Sequence, residues 1–144
     1  MFKEEKIDLH EIKKTLKERN LVFSEEGIYI MPEGSSEDSD LLNEHAPDIY
    51  KFLKQNDIDS ILVKKENYSF LALRDSTEIL PYIIGIPFSV LANFLYDWIK
   101  NNFNDKSIIE FKFTKKKKNG EMYKIKFKGT SKELQKVLEQ LGEI

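Results

Sequence analysis

The clearest pattern of hydrophobic and polar positions lies late in the chain. Ile109, Phe111 and Phe113 alternate with Glu110 and Lys112, and Tyr123, Ile125 and Phe127 alternate with Lys124, Lys126 and Lys128. A period of two sends successive side chains to opposite faces of a strand. The spacing therefore predicts an antiparallel hairpin over Ser107–Thr114 and Glu121–Lys128, with one buried face and one charged face. Asn119-Gly120 supplies its turn. After Gly129 the period becomes helical: Leu134, Val137, Leu138 and Leu141 form a stripe. Thr130, with Glu133 three residues on, is a capping box for that last helix.

The same reading carries back to the start. Leu9, Ile12 and Leu16 mark a helix over Asp8–Arg19. Leu21–Phe23 and Ile28–Met31, around Ser24–Gly27, read as a short hairpin. Asp40 is placed as the N-cap of a second helix over Leu41–Gln55, with His45, Ile49, Phe52 and Leu53 inward. Pro47 either kinks that helix or begins it anew. Ile58–Val63 and Tyr68–Leu73 read as another hairpin.

The stretch Ile79–Ile99 is apolar enough over 21 residues to cross a bilayer by length alone. Pro81, Gly85 and Pro87 interrupt it, however, and Asn93 and Asp97 would be costly in lipid. Beyond Pro87 it becomes amphipathic, with Phe88, Leu91, Phe94 or Leu95, and Trp98 on one side. The expectation is a turn over Asp75–Leu80, a bend, and a core helix from Pro87 to Asn102. A helix lying on a membrane surface or on a partner is the second reading.

These elements predict an α+β fold. One domain spans 1–144, with an antiparallel sheet and helices packed mainly on one face. Any subdivision would separate an acidic part, 1–75, from a helix–hairpin–helix part, 76–144. Length agrees with one domain, and 10 Phe, 6 Tyr and 1 Trp give the aromatic mass of a folded, soluble chain. There is no cysteine, which excludes disulfides, thiolate metal sites and thiol nucleophiles. The charged first residues are followed by no apolar signal core, so the expected location is cytoplasmic. Lysine supplies nearly all the positive charge, Arg19 and Arg74 being the only arginines. With the many Asn and Ile, this is the composition of an AT-rich bacterial genome.

Charge is segregated. No Lys or Arg occurs between Asn20 and Tyr50, where Glu37, Asp38, Asp40, Glu44 and Asp48 gather. From Asn101 onward, 11 lysines face 6 acids. Such asymmetry concerns association rather than fold. It nominates two contact surfaces. One is acidic (Glu37, Asp38, Asp40, Glu44, Asp48); the other is a basic hairpin (Lys115, Lys116, Lys117, Lys118, Lys124, Lys126). The hairpin lysines have three readings: a solvated or edge-guarding surface, a dock for an acidic protein partner, and a phosphate-binding surface for nucleic acid or lipid headgroups. Opposite patches also permit head-to-tail self-association.

Catalytic patterns are missing. No nucleophile elbow, phosphate loop or calcium loop occurs. His45 with Glu44 and Asp48 lacks the second histidine that a zinc site usually offers, so no metal and no cofactor are expected. A hydrolase or nuclease built on Asp57, Asp59, Asp75 and Glu78 is the least favoured alternative.

From Leu80 to Leu141 a hydrophobic helix ending Asp97-Trp98-Ile99-Lys100 is followed by two strands around Asn119-Gly120. The strand Tyr123-Lys124-Ile125-Lys126-Phe127 then leads into Lys128-Gly129-Thr130-Ser131-Lys132-Glu133-Leu134, which opens a closing helix. This order resembles the small effector-associated component proteins of bacterial conflict systems. The helix here is broken by proline and contains Asp97, unlike the frankly transmembrane version. The resemblance implies an accessory, non-enzymatic role in defence or toxin immunity and transfers no site residues.

Overall fold

The computed structural model describes residues 1–71, 76–85, 88–117 and 119–142. The late hairpin is its centre. Strands β9 (Ile108–Lys116) and β10 (Met122–Thr130) pair antiparallel, Phe111 opposite Phe127 and Phe113 opposite Ile125. Gly120 turns the chain at φ 86°, a left-handed conformation that suits a residue without a Cβ. Lys118, Leu73, Asp75 and Pro87, each part of an expectation above, lie outside the described residues.

Around this hairpin the sheet grows in both directions. On one side β10 pairs with β1 (Phe2–Ile7), a strand that its run of charges concealed. On the other side β9 meets β8 (Ile83–Gly85), followed by β2 (Ile28–Ile30) and β5 (Ile61–Leu62), while β7 (Glu78–Ile79) lies against the start of β9. A second small sheet joins β3 (Gly34–Ser35), β4 (Asp40–Leu42) and β6 (Tyr68–Phe70). The larger sheet is mixed rather than purely antiparallel: β2–β5, β8–β9 and β7–β9 are parallel pairs. It draws strands from both parts of the chain, so the acidic and basic parts share one sheet in a single α+β domain.

Three expectations need correction. Asp40 does not cap a helix; it opens β4, and the helix α2 runs over Ala46–Gln55 with Pro47 in its first turn, where a missing N–H costs nothing. Tyr68–Phe70 and Ile61–Leu62 do not pair with each other but join different sheets, each as a parallel strand. Leu21–Phe23 likewise forms no strand, although Tyr29 ties it down: the phenol donates to the Val22 carbonyl at 3.0 Å and accepts from the Ser24 N–H at 3.0 Å. Gly27 leaves room for that ring, because a Cβ there would lie 2.6 Å from it.

The other helices follow their patterns. Helix α1 (Leu9–Lys17) is capped by Asp8, whose carboxylate accepts from the His10 N–H at 2.9 Å. Helix α3 occupies Phe88–Asn102, and α4 occupies Ser131–Gly142. The Thr130–Glu133 capping box closes reciprocally at 3.0 and 3.2 Å. The apolar stretch Ile79–Ile99 is thus divided among β7, β8 and α3, and no helix of the described residues is long and apolar enough to cross a membrane.

The pleat then sorts the sheet into two faces. Ile109, Phe111, Phe113, Ile125 and Phe127 point to one side, where α2, α3 and α4 bury Ile49, Leu53, Leu91, Leu95, Trp98, Leu134 and Leu138 against them. Helix α1 covers part of the opposite side, packing Ile12 and Leu16 with Tyr29, Met31, Ile84 and Met122. Beyond Met122 that second face has no helix above it. Because Leu95 is fully buried between sheet and α4 while Val22 is 87% exposed, urea unfolding should separate them. Leu95→Ala is expected to lose about 2–5 kcal/mol, and Val22→Ser less than about 0.5 kcal/mol.

Candidate functional site

The uncovered part of the second face forms a cleft of about 440 Å³. Its floor is β9 and β10, and its walls come from Met1, Pro32, Glu33, Ile79, Leu80 and Tyr82. Residues opposite one another in an antiparallel ladder share a face. Lys3, Lys126 and Lys112 are consecutive partners across β1, β10 and β9, so three ammonium-bearing side chains form one row. The row on one side reads Glu5, Lys124 and Thr114, and on the other side Lys128 pairs with Glu110 through an ion pair at 3.1 Å.

Among the described residues, Lys3, Lys112, Lys124 and Lys126 have no carboxylate within 4.0 Å. Lys124 reaches over the Tyr82 ring, 4.9 Å from its centre, a cation–π contact. Burial pushes the Lys124 ammonium down from its ordinary range, and the neighbouring charges of Lys112 and Lys126 push the same way. Burial also pushes the Tyr82 hydroxyl up to about 12, so it stays protonated at neutral pH. The cleft therefore holds concentrated positive charge beside an aromatic wall.

The tip of the hairpin differs. Lys117 binds Glu4 at 2.7 Å and lies 4.0 Å over the Tyr123 ring, and Lys116 faces Glu25 at 3.8 Å. Lys115 is half-buried. Lys116 and Lys117 of the conspicuous run are thus engaged with the protein's own acids, whereas Lys124 and Lys126, farther down the strand, have no described carboxylate within 4.0 Å. Edge-guarding does not account for these two. Strand β10 lies between β1 and β9, and β1, the edge itself, carries Glu4 and Glu5 beside Lys3 and Lys6.

The predicted acidic surface comes apart. Asp40 is buried, at 1% exposure, and accepts a two-pronged contact from Arg19 at 2.8 and 3.0 Å plus the Lys65 N–H at 2.7 Å. The Arg19 guanidinium holds the Asp40 carboxyl down at about 2, with Ser35 and the Lys65 N–H assisting against the cost of burial. Asp48 accepts from the Trp98 indole at 2.9 Å, tying α2 to α3. Glu37 and Asp38 remain exposed in the turn between β3 and β4.

Glu44 belongs to a third grouping. The Nε2 atom of His45 lies 2.9 Å from Glu78 and 3.4 Å from Glu44. Trp98 and Phe103 meet the imidazole edge-on, with ring centres 5.7 and 5.4 Å away. Asn43, itself buried, fixes both segments: it accepts from the His45 N–H at 2.9 Å and donates to the Ile79 carbonyl at 2.7 Å and to Glu33 at 2.9 Å. Sequence reasoning paired His45 with Asp48 by helical spacing; the fold pairs it with Glu78, more than thirty residues away, and no local pattern announces that. Tyr82 and Glu110 in the cleft, and Lys3 opposite Lys126, were likewise hidden, since their places depend on strand order.

A comparison with protein-family models, curated proteins and solved structures finds no match to this chain.

Two measurements follow from these geometries. The Asp40 carboxyl sits near 2 instead of its ordinary 3.8, so its contribution is fully present above about pH 4 and is lost as pH falls through about 2. The stability difference between the native protein and Asp40→Asn should shrink by about 2 kcal/mol over that window in urea titrations. Lys126→Gln, which removes the middle charge of the row, should raise stability by about 0.2–1 kcal/mol, more at low salt than at high salt.

Proposed function

We propose that this protein is a non-catalytic binding protein that receives an acidic segment of another protein on the lysine-lined face of its C-terminal hairpin. One observation carries this reading: the row Lys3–Lys126–Lys112 puts like charges directly opposite each other on a part of the sheet that none of the described helices covers, with no described carboxylate within 4.0 Å although Glu5 and Glu110 stand in the flanking rows. Such an arrangement costs stability, and a bound anion would reverse the cost. Proteins keep stability costs of this kind where they serve binding.

The composition of the cleft favours a protein over a nucleic acid. Glu33 and Glu110 share its lining and would repel a continuous phosphate backbone, whereas a polypeptide can offer both signs of charge. Single strands are held by aromatic side chains exposed for stacking; of the rings in the described cleft lining, Phe111 and Phe127 are buried at 1% and 6% exposure, and Tyr82 already lies under Lys124. Base edges are read through Arg, Lys, Asn and Gln, and of these the described cleft lining offers lysine alone, without the amides that read adenine. An accessory role in a bacterial defence or toxin-immunity system is compatible with such a surface and forms part of the proposal. Of the predicted acidic surface only Asp40 is buried; Glu37 and Asp38, clear of the contacts that Glu44 makes to His45 and Asp48 to Trp98, are the exposed acids offered for a second contact.

Anisotropy titrations with a labelled poly-glutamate peptide and with DNA and RNA oligonucleotides of equal length test this. The peptide is expected to bind, to weaken as salt rises, and to lose its binding in Lys112→Glu/Lys124→Glu/Lys126→Glu while keeping it in Lys115→Glu/Lys116→Glu. Preference for an oligonucleotide, equal loss in the tip variant, or no binding of the peptide would each overturn the proposal.

A further inference from the structure

The cluster at the start of α2 carries an inference independent of the lysine cleft. The Glu44, His45 and Glu78 side chains each offer a ligand atom, and the three atoms lie within 4.8 Å of one another. They come from two distant segments, the turn before α2 and strand β7. A single imidazole nitrogen faces both carboxylates, at 2.9 and 3.4 Å. A neutral imidazole has only one proton to give from Nε2, so one hydrogen bond leaves the other carboxylate without a full partner. Among the described residues no Lys or Arg nitrogen lies within 4.0 Å of either acid. With the imidazole proton on Nδ1 instead, the group turns two carboxylates and the Nε2 lone pair toward one point.

We infer that Glu44, His45 and Glu78 form a binding site for a divalent transition-metal ion, zinc in the first instance. Two ligands on one tetrahedral zinc, each about 2.0–2.2 Å from the metal, are separated by about 3.3 Å. The separations of 2.9 and 3.4 Å around Nε2 bracket that value. One imidazole with two carboxylates suits zinc and its first-row neighbours better than calcium, which takes six to eight oxygens. The support around the ligands is that of a held site. Trp98 and Phe103 wedge the imidazole, and the Asn43 amide joins the His45 backbone to that of Ile79, the residue after Glu78. Three protein ligands leave a fourth position, and Glu44 and Glu78 are partly open to solvent, at 46% and 36% exposure. The ion would staple the head of α2 to β7, whose Ile79 forms part of the cleft wall.

The chain reports on this site by itself. Trp98 is its single tryptophan, and its ring lies 5.7 Å from that of His45. Zinc chloride is titrated into metal-free protein by calorimetry, with tryptophan emission and melting temperature followed in parallel. The expected result is one ion per chain, a change in emission and a raised melting temperature. Affinity should fall at least tenfold in His45→Gln and in Glu78→Gln and stay unchanged in His10→Gln, the only other histidine. If His45→Gln fails to fold, Glu44→Gln, at an exposed position, carries the same expectation. Affinity no tighter than millimolar, affinity unchanged in the Glu44 and Glu78 variants, or loss in His10→Gln would overturn the inference.

Discussion

The pleat of one hairpin governs this molecule. Once Ile109, Phe111, Phe113, Ile125 and Phe127 are committed to the helical side, Lys112, Lys124, Lys126 and Lys128 must stand on the other, because strand side chains alternate. The two sides differ in scale. Each large apolar side chain buried there contributes about 1.5–3 kcal/mol, while a pair of like charges facing across strands costs about 0.2–1 kcal/mol. The core therefore sets the register, and the lysine row follows at a cost the fold can carry.

How much of this was legible in the sequence depended on the range of the interaction responsible. The hairpin, the closing helix with its Thr130–Glu133 box, α1 with its Asp8 cap, and α3 are local structures, and their periods and caps marked them. Strands β1, β7 and β8 escaped notice because they exist only through pairing with strands distant in sequence, β10 for β1, β9 for β7, and β2 and β9 for β8. Phe2–Ile7 is too charged to look like a strand, and Ile83–Gly85 is too short and too uniformly apolar to show a period. Asp40 misled for a related reason. An acid before an apolar run resembles an N-cap, but Arg19, twenty-one residues earlier, draws it into the interior of β4.

The candidate sites divide along the same line. The lysines of the cleft could be named from alternation alone, yet which of them stay without acidic partners depended on Glu4 and Glu25 reaching the tip instead. Two members of the His45 cluster, Glu44 and His45, could be named together, but Asp48 stood in for the third, Glu78, which arrives on β7. That strand connects the two places: Glu78 faces His45, while the next two residues, Ile79 and Leu80, line the cleft. Asn43 reinforces the connection by bonding Glu33 of the cleft and the Ile79 backbone together.

The central claim is that positive charge available for binding lies in the cleft and not at the hairpin tip. Lysine-resolved NMR, with the ammonium groups dimethylated by labelled formaldehyde and an acidic peptide titrated in, reads this residue by residue. The account predicts that signals of Lys112, Lys124 and Lys126 shift together with one affinity while those of Lys116 and Lys117 stay in place. Shifts centred on Lys116 and Lys117, with the cleft signals unmoved, would contradict it.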